Sequence, residues 1–247
     1  MKIPNKLKLG LLLSTLGFIG ILTILTMEIP IPEQFKNEIE KLFTPFQFRL
    51  LSLINPTFML LILVTVGTIT YDKVDFKIPL FEKIAFGTKS EIYWKEIFKF
   101  GIIGGILSGI LLIFVSKAFQ DFIPTELEKF NPNFLNRFFY GGITEEILMR
   151  FGVMTFVVWI LSQLTKSKIS WIYWVGILVS SLLFGIGHLP MVNSLVGNPT
   201  TQLISYIVIG NSIGGVIFGW LYWKKGLETA IIAHISTHLI FIIVANL

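Results

Sequence analysis

The sequence lacks cysteine entirely and contains few charged residues. With no cysteine among 247 residues, disulfide bonds and thiolate metal ligands are excluded. Charged residues make up 14% of the chain, whereas a soluble domain has about a quarter. Apolar residues make up 53%, and the mean hydropathy is +0.76. These values exclude an ordinary soluble domain and predict a polytopic membrane protein.

Apolar runs long enough to cross a bilayer recur along the chain. A membrane-spanning helix needs about 20 such residues. We predict seven spans, at about 9–27, 50–71, 98–118, 138–163, 170–188, 202–223 and 227–246. Residues 28–49 and 72–97 form the main loops. We therefore expect an all-α membrane helix bundle of seven to eight transmembrane helices, forming a single membrane domain over residues 1–247.

The charge distribution indicates how the spans are oriented. The net charge is +5, and the basic residues lie mainly in short connecting segments, which argues against nucleic-acid binding. With the N-terminus inside, 13 of the 20 lysines and arginines fall on the inner side, six fall on the outer side and one lies within a span. Cytoplasmic loops carry an excess of positive charge. The sequence therefore predicts an integral membrane protein with a cytoplasmic N-terminus.

Glycines recur every four residues on two spans. Small residues at this spacing let helix backbones approach each other closely. Two interpretations follow, either tight packing within one bundle or a homodimer formed through these faces. The residues are Gly101, Gly105 and Gly109 on the third span, and Gly210, Gly214, Gly215 and Gly219 on the sixth.

Two adjacent acids, Glu145 and Glu146, interrupt the fourth apolar span. Ionisable groups at bilayer depth are costly and usually functional. Glu146 and Arg150 have the favourable i,i+4 spacing of a helical ion pair. Glu145 points about 100° away around an α-helix and has no cationic partner in its own turn, so it is the candidate general base. Alternatively, both acids line a polar seam or an ion path.

All three histidines also lie in or at the ends of apolar segments. His188 precedes Pro190, which places it near a helix end, where a histidine is commonly a packed or interfacial residue. His234 and His238 share one face of the last span. Their spacing suits a metal site or a pair of hydrogen-bond donors. Together with the two acids, the histidines predict one buried polar pocket with hydrolytic chemistry. Three other polar residues are candidates to line it, Asn193, Tyr206 and Asn211.

The order of these residues resembles the three motifs of the CPBP (Abi) intramembrane proteases. This family includes the type II CAAX prenyl proteases and bacteriocin-processing or self-immunity proteins. The resemblance covers about residues 130–245 and implies a catalytic core at 130–247, with accessory spans at 1–129. The matching motifs are Glu145-Glu146-x-x-x-Arg150, Phe184-x-x-x-His188 and His234-x-x-x-His238.

The resemblance implies a glutamate-dependent, metal-independent endopeptidase without a cofactor. In this family the residues matching Glu145 and His188 activate water, and those matching His234 and His238 stabilise the oxyanion. The family commonly has Asn or Asp where this chain has His238. A neutral histidine still donates one hydrogen bond, which is compatible with that role. The alternative is a zinc-dependent variant, with the metal held by Glu145 and the three histidines.

The resemblance also indicates substrates and a location. A membrane-associated peptide, a prenylated or otherwise lipidated protein, or a bacteriocin-type precursor would be cleaved at a bacterial plasma membrane. Two other classes stay open. One is a non-catalytic immunity or regulatory partner that retains the site as a relic. The other is a transporter or proton channel, which is disfavoured because paired broken helices in corresponding halves are not evident.

Overall fold

The computed structural model describes residues 4–88, 91–130 and 132–245. Lys2 and Lys89, which contribute to the charge bias, lie outside these ranges. Within them the chain is helical and contains no strand, as predicted. Seven segments are long and apolar enough to cross a membrane. They are Asn5–Thr26, Pro45–Val74, Trp94–Ala118, Asn136–Thr165, Ser170–Val196, Thr201–Lys225 and Leu227–Val244.

Twelve α-helices and two π-helices form the described part of the chain, joined in places by short 3-10 turns. In chain order they are α1 (Asn5–Leu22), α2 (Glu33–Leu42), α3 (Pro45–Ser52), α4 (Ile54–Thr70), α5 (Pro79–Phe86), α6 (Trp94–Ala118), α7 (Thr125–Lys129), π1 (Asn136–Glu145), π2 (Ile147–Met154), α8 (Thr155–Thr165), α9 (Ser170–Gly187), α10 (Leu189–Val196), α11 (Thr201–Lys225) and α12 (Leu227–Ala245). The 3-10 turns are Thr23–Thr26, Tyr71–Val74 and Gln120–Phe122.

Both segments interpreted as loops contain helices, so that part of the prediction is wrong. Segment 28–49 holds α2 and the start of α3, and segment 72–97 holds α5. Helices α2 and α5 have only ten and eight residues, too few to cross a bilayer, and α3 leads into the second span. A search for long apolar runs therefore passes over them.

The fourth span is π-helical over most of its length instead of α-helical. Two threonine hydroxyls in it donate to carbonyl groups five residues earlier. Thr144 donates to Phe139 at 3.2 Å, and Thr155 donates to Arg150 at 3.1 Å. Five residues is the hydrogen-bond register of a π-helix. Such turns are rare and occur frequently at functional sites. This one carries both acids of the fourth span.

The N-terminal spans hold the π-helical segment in place. Asn136 donates from its amide to the carbonyl oxygen of Thr23 at 2.8 Å, and the Thr144 hydroxyl donates to the carbonyl oxygen of Gly17 at 2.8 Å. Helix α4 packs against π2. The first two spans, which resemble nothing specific by sequence, therefore fix the element that carries Glu145.

The glycine faces of the third and sixth spans pack inside the bundle. A Cβ atom at Gly101, Gly105 or Gly109 would come within 3.0 Å of α12. At Gly215 a Cβ would meet Ser181 of α9 at 2.7 Å. Of the two interpretations, tight packing within one bundle therefore accounts for these positions. A homodimer would have to use a different surface.

We expect Gly105→Ala to destabilise the protein by about 1–3 kcal/mol, the usual cost of overpacking a core. The added methyl would lie 2.6 Å from the carbonyl oxygen of Ala233 and against Ser236, so α12 has to shift. Gly210→Ala is the matched control, because its nearest neighbour, Leu112, lies at an ordinary 3.5 Å. Thermal unfolding in detergent measures both, and equal midpoints would refute the close approach of α6 to α12.

Candidate active site

Two histidines from two other spans face the Glu145 carboxylate. Its Oε1 lies 4.0 Å from Nε2 of His188, and its Oε2 lies 3.9 Å from Nε2 of His234. His188 lies directly after the last residue of α9, near a helix end as predicted. The side chains of Glu145 and His188 are 18% and 25% exposed. Water and a substrate can therefore reach the carboxylate.

Glu146 lies in a different environment although it is the next residue. Its Oε2 lies 3.3 Å from Nε of Arg150, and both side chains are fully buried. The contact is an ion pair without hydrogen-bond geometry. Glu146 Oε1 lies 2.9 Å from Nδ1 of His234, and Arg150 also donates to the carbonyl oxygen of Gly215 at 3.3 Å. Glu146, whose spacing predicts the pair with Arg150, therefore also contacts His234. Spacing along the chain does not predict this second contact.

In His188 and His234, the partner of Nδ1 determines which ring nitrogen carries the proton in the neutral form. His188 Nδ1 lies 2.8 Å from the carbonyl oxygen of Phe184, and a carbonyl only accepts, so this Nδ1 donates. His234 Nδ1 lies 2.9 Å from Oε1 of Glu146; a carboxylate paired with Arg150 only accepts, so in that pairing this Nδ1 donates as well. In both neutral rings Nε2 is then an acceptor directed at Glu145. Nε2 of His188, Nε2 of His234 and the carboxylate of Glu145 can therefore each accept a proton.

His238 extends the site along α12. Its ring stacks on that of His234 with centroids 4.9 Å apart and planes 22° apart. Neither ring nitrogen has a hydrogen-bond partner among the described residues. A Cβ atom at Gly141 would lie 2.6 Å from its Nε2, so glycine at this position lets π1 approach the ring. The donor capacity of His238 is thus available to a bound ligand.

A cavity of about 210 Å³ opens beside these rings. His234 and His238 form one part of its lining, and Phe184 and Phe218 contribute apolar walls. Arg137 also lines it, although charge counting assigned this residue only to an outer segment. The sequence feature that could have identified Arg137 as a site residue is its position on the apolar run that also carries Glu145. The cavity therefore combines an apolar wall with one cation and two imidazoles.

The other polar candidates divide into one that lines the cavity and two that do not. Asn211 lines it and donates to the carbonyl oxygen of Ile207 at 2.8 Å. Tyr206 packs on Phe119 with centroids 6.0 Å apart. Asn193 is exposed on α10. Only Asn211 is placed to contact a ligand there.

The proposed zinc ligands do not converge as a zinc site requires. Nitrogen and oxygen ligands lie about 2.0–2.2 Å from the metal. Within the described ranges no group of three or more His, Asp or Glu side chains is arranged to hold a metal ion. The set formed by Glu145, His188, His234 and His238 therefore does not fit zinc in this arrangement.

The part of the chain that carries the site matches a known protein family. Residues 128–240 match the family described as type II CAAX prenyl endopeptidase Rce1-like. Neither the curated proteins nor the solved structures give a significant match to this chain. The matched range starts before π1 and ends within α12. It contains every side chain that surrounds Glu145 and leaves out the first three spans.

Proposed function

The chain belongs to the type II CAAX prenyl endopeptidase Rce1-like family over residues 128–240, and from that premise we propose that it cleaves peptides with a water molecule activated by Glu145. The family is that of CAAX-type intramembrane proteases, which are hydrolases, and the described residues form seven helices long and apolar enough to cross a membrane. The glutamate mechanism, the residue roles and the substrate are our proposals.

One observation carries the mechanism, namely the contrast between the two neighbouring acids. Glu145 is partly exposed and lies among imidazole nitrogens, whereas Glu146 is sealed against Arg150. A general base must come within about 2.6–3.2 Å of the proton that it abstracts, directly or through one water. Of the two acids, Glu145 has the exposed carboxylate that such a water could reach, whereas the Glu146 side chain is fully buried. Glu146 instead orients His234.

The reaction follows from the proton positions. Glu145 takes a proton from water as the oxygen attacks the scissile carbonyl, with His188 Nε2 accepting a hydrogen bond from the same water. The proton then passes to Nε2 of His234, 3.9 Å away. Protonated His234 can donate to the oxyanion that has just formed, whereas its neutral form has its one N–H directed at Glu146. His238 supplies a second donor. Glu145, now unprotonated again, or His188 takes the remaining hydroxyl proton of the tetrahedral intermediate and gives it to the leaving amine as the carbon–nitrogen bond breaks, and His234 loses its proton as the products leave.

The lining of the cavity supports an apolar, membrane-associated substrate. Phe184 and Phe218 form walls that suit a lipidated protein tail or a hydrophobic peptide. We propose a prenylated or bacteriocin-type peptide, cleaved without cofactor or metal at a bacterial plasma membrane. The lysine bias supports a cytoplasmic N-terminus, which is part of the proposal.

The membrane peptidome of producing cells tests this proposal. We compare wild type with Glu145→Gln, using Glu96→Gln as control, because Glu96 lies at the start of a span and forms its ion pair with Lys225 at 3.1 Å, away from the site. The two fragments of one substrate should appear with wild type and with the control, and be absent with Glu145→Gln. Identical peptidomes in all three strains would contradict proteolysis. If cells with Glu145→Gln also kept the phenotype that wild-type protein confers, a non-catalytic partner role would replace the protease proposal.

Substitutions at His238 test the oxyanion role. His238→Leu should lower kcat by about 10²–10³-fold, the usual loss on removing one oxyanion donor. His238→Asn should retain most of the activity, because its amide still donates and the family commonly has Asn there. Initial rates on the identified substrate measure both. If the two variants lost activity equally, His238 would act by packing and not by donating.

A further inference from the structure

A second cavity, of about 350 Å³, opens at the end of the fourth span and shares no lining residue with the cavity of the active site. Its lining comes from the last turn of α8 and from the connection between α8 and α9. The lining contains two cations and, among the described residues, no acid. The residues are Ser162, Gln163, Lys166, Ser167 and Lys168.

Both non-glycine residues with a positive φ in the described ranges lie at or beside this cavity. Lys166, directly after α8, has a φ of +51°, and Asp75 has a φ of +60°. Asp75 forms an ion pair with Lys168 at 2.9 Å. Backbone in this region is unfavourable for residues other than glycine, and such residues cluster at functional sites. Helices often end with glycine in this conformation, so a lysine at position 166 favours a role for its side chain.

The polar groups around the cavity keep hydrogen-bond donors available for a ligand. Lys166 forms no hydrogen bond or ion pair with the described residues, and neither do the side chains of Gln163 and Ser167. Lys168 pairs with Asp75, but an ammonium group has three donors, so two remain. Four donor groups, two of them cationic, therefore border one space. This arrangement suits an anion with several oxygen atoms.

The surroundings of the cavity are those of a membrane surface. Leu164 and Ile169, on either side of the connection, are 75% and 54% exposed, and Trp171 of α9 is also exposed. Tryptophan is enriched where a membrane meets water. The proposed orientation places this connection on the cytoplasmic side, where the leaflet carries anionic lipids. Basic pockets between helices on that side bind lipid head groups.

We propose that this cavity binds the phosphate of an anionic phospholipid, with Lys166 and Lys168 holding its oxygen atoms. Lysine binds phosphate as a compact point charge. A free phosphate ion offers the same chemistry, but the exposed apolar residues beside the cavity favour a ligand with acyl chains. The site is separate from the proposed protease activity, and its test does not use catalysis.

Thermal unfolding of the full-length protein in neutral detergent tests the site. Phosphatidylglycerol should raise the midpoint saturably, by about 5–10 °C at 100 times the apparent Kd, whereas zwitterionic phosphatidylcholine should not. Lys166→Gly and Lys168→Gln should each weaken the apparent Kd by about tenfold or more, the effect of losing a hydrogen bond to a charged group. Glycine adopts a positive φ readily, so the lipid-free midpoint of Lys166→Gly should be unchanged or higher.

Lys95→Gln is the matched control, because Lys95 is an exposed lysine at the start of α6, assigned to the same side of the membrane. It should weaken binding by no more than about fivefold, the share of one lysine in general attraction to an anionic surface. Equal losses in all three variants, or equal stabilisation by the two lipids, would overturn the site in favour of diffuse attraction.

Two further results would also contradict the proposal. Equal stabilisation by sodium phosphate in the absence of lipid would identify free phosphate as the ligand and overturn the lipid. A lower midpoint of lipid-free Lys166→Gly would assign this lysine to the stability of the fold and overturn its role in binding.

Discussion

Glutamine at position 145 is expected to lower the rate of peptide hydrolysis by about 10²–10⁴-fold, the usual contribution of a general base. The amide has nearly the shape of the carboxylate but does not take a proton from water. Because the base contacts water and not the substrate, kcat should fall and KM should change little. Steady-state kinetics of purified protein in lipid nanodiscs measure both constants.

The same substitution should leave the fold intact or stabilise it. Glu145 is surrounded by the Nε2 atoms of His188 and His234 at 4.0 and 3.9 Å, and both nitrogens are acceptors in the neutral rings. A glutamine amide can donate to either ring, whereas a carboxylate cannot. The unfolding midpoint should therefore be unchanged or higher. Lost activity together with a lower midpoint would mean that the residue is structural, and retained activity would refute the base assignment.

The sequence predicts the spans and the convergence of acids and histidines. Both depend on the length of apolar runs and on the cost of placing charged groups in lipid. Runs of about 20 apolar residues have few alternatives to a membrane helix. Charged groups such as Glu145 and Arg150 within such runs are too costly at bilayer depth to face lipid, which directs them toward the bundle interior. Helical spacing alone predicts that Glu146 contacts Arg150, and the structure shows this contact.

Other features depend on tertiary contacts that spacing does not encode. The π-helical winding of the fourth span is accompanied by contacts of Thr144 and Asn136 with α1, and no apolar period predicts it. The hydrogen bond between Glu146 and His234 joins residues 88 positions apart. Arg137 of π1 lines a cavity together with His234 and His238 of α12, and π1 approaches α12 closely at Gly141. These contacts define the detailed chemistry of the site.

Removing the cation beside Glu146 should have the largest effect on stability. In Arg150→Met a fully buried carboxylate loses its charged partner, and breaking a buried pair costs about 3–5 kcal/mol. Methionine can still pack on Phe184 and Phe218, whose ring centroids lie 5.0 and 5.5 Å from the guanidinium carbon, so the loss reports mainly on charge. Thermal unfolding in detergent should show a large fall in midpoint.

The double variant Glu146→Gln/Arg150→Met separates stability from catalysis. Removing both buried charges should restore most of the lost stability, since a buried pair contributes little net free energy relative to uncharged partners. Activity should stay low, because a neutral glutamine is a weaker acceptor for Nδ1 of His234 than a carboxylate, and that ring must bind a second proton as the oxyanion forms. If the double variant were as unstable as Arg150→Met, the stability lost in Arg150→Met would not come from the unpaired charge of Glu146. Full activity in a stable double variant would show that His234 works without its carboxylate partner.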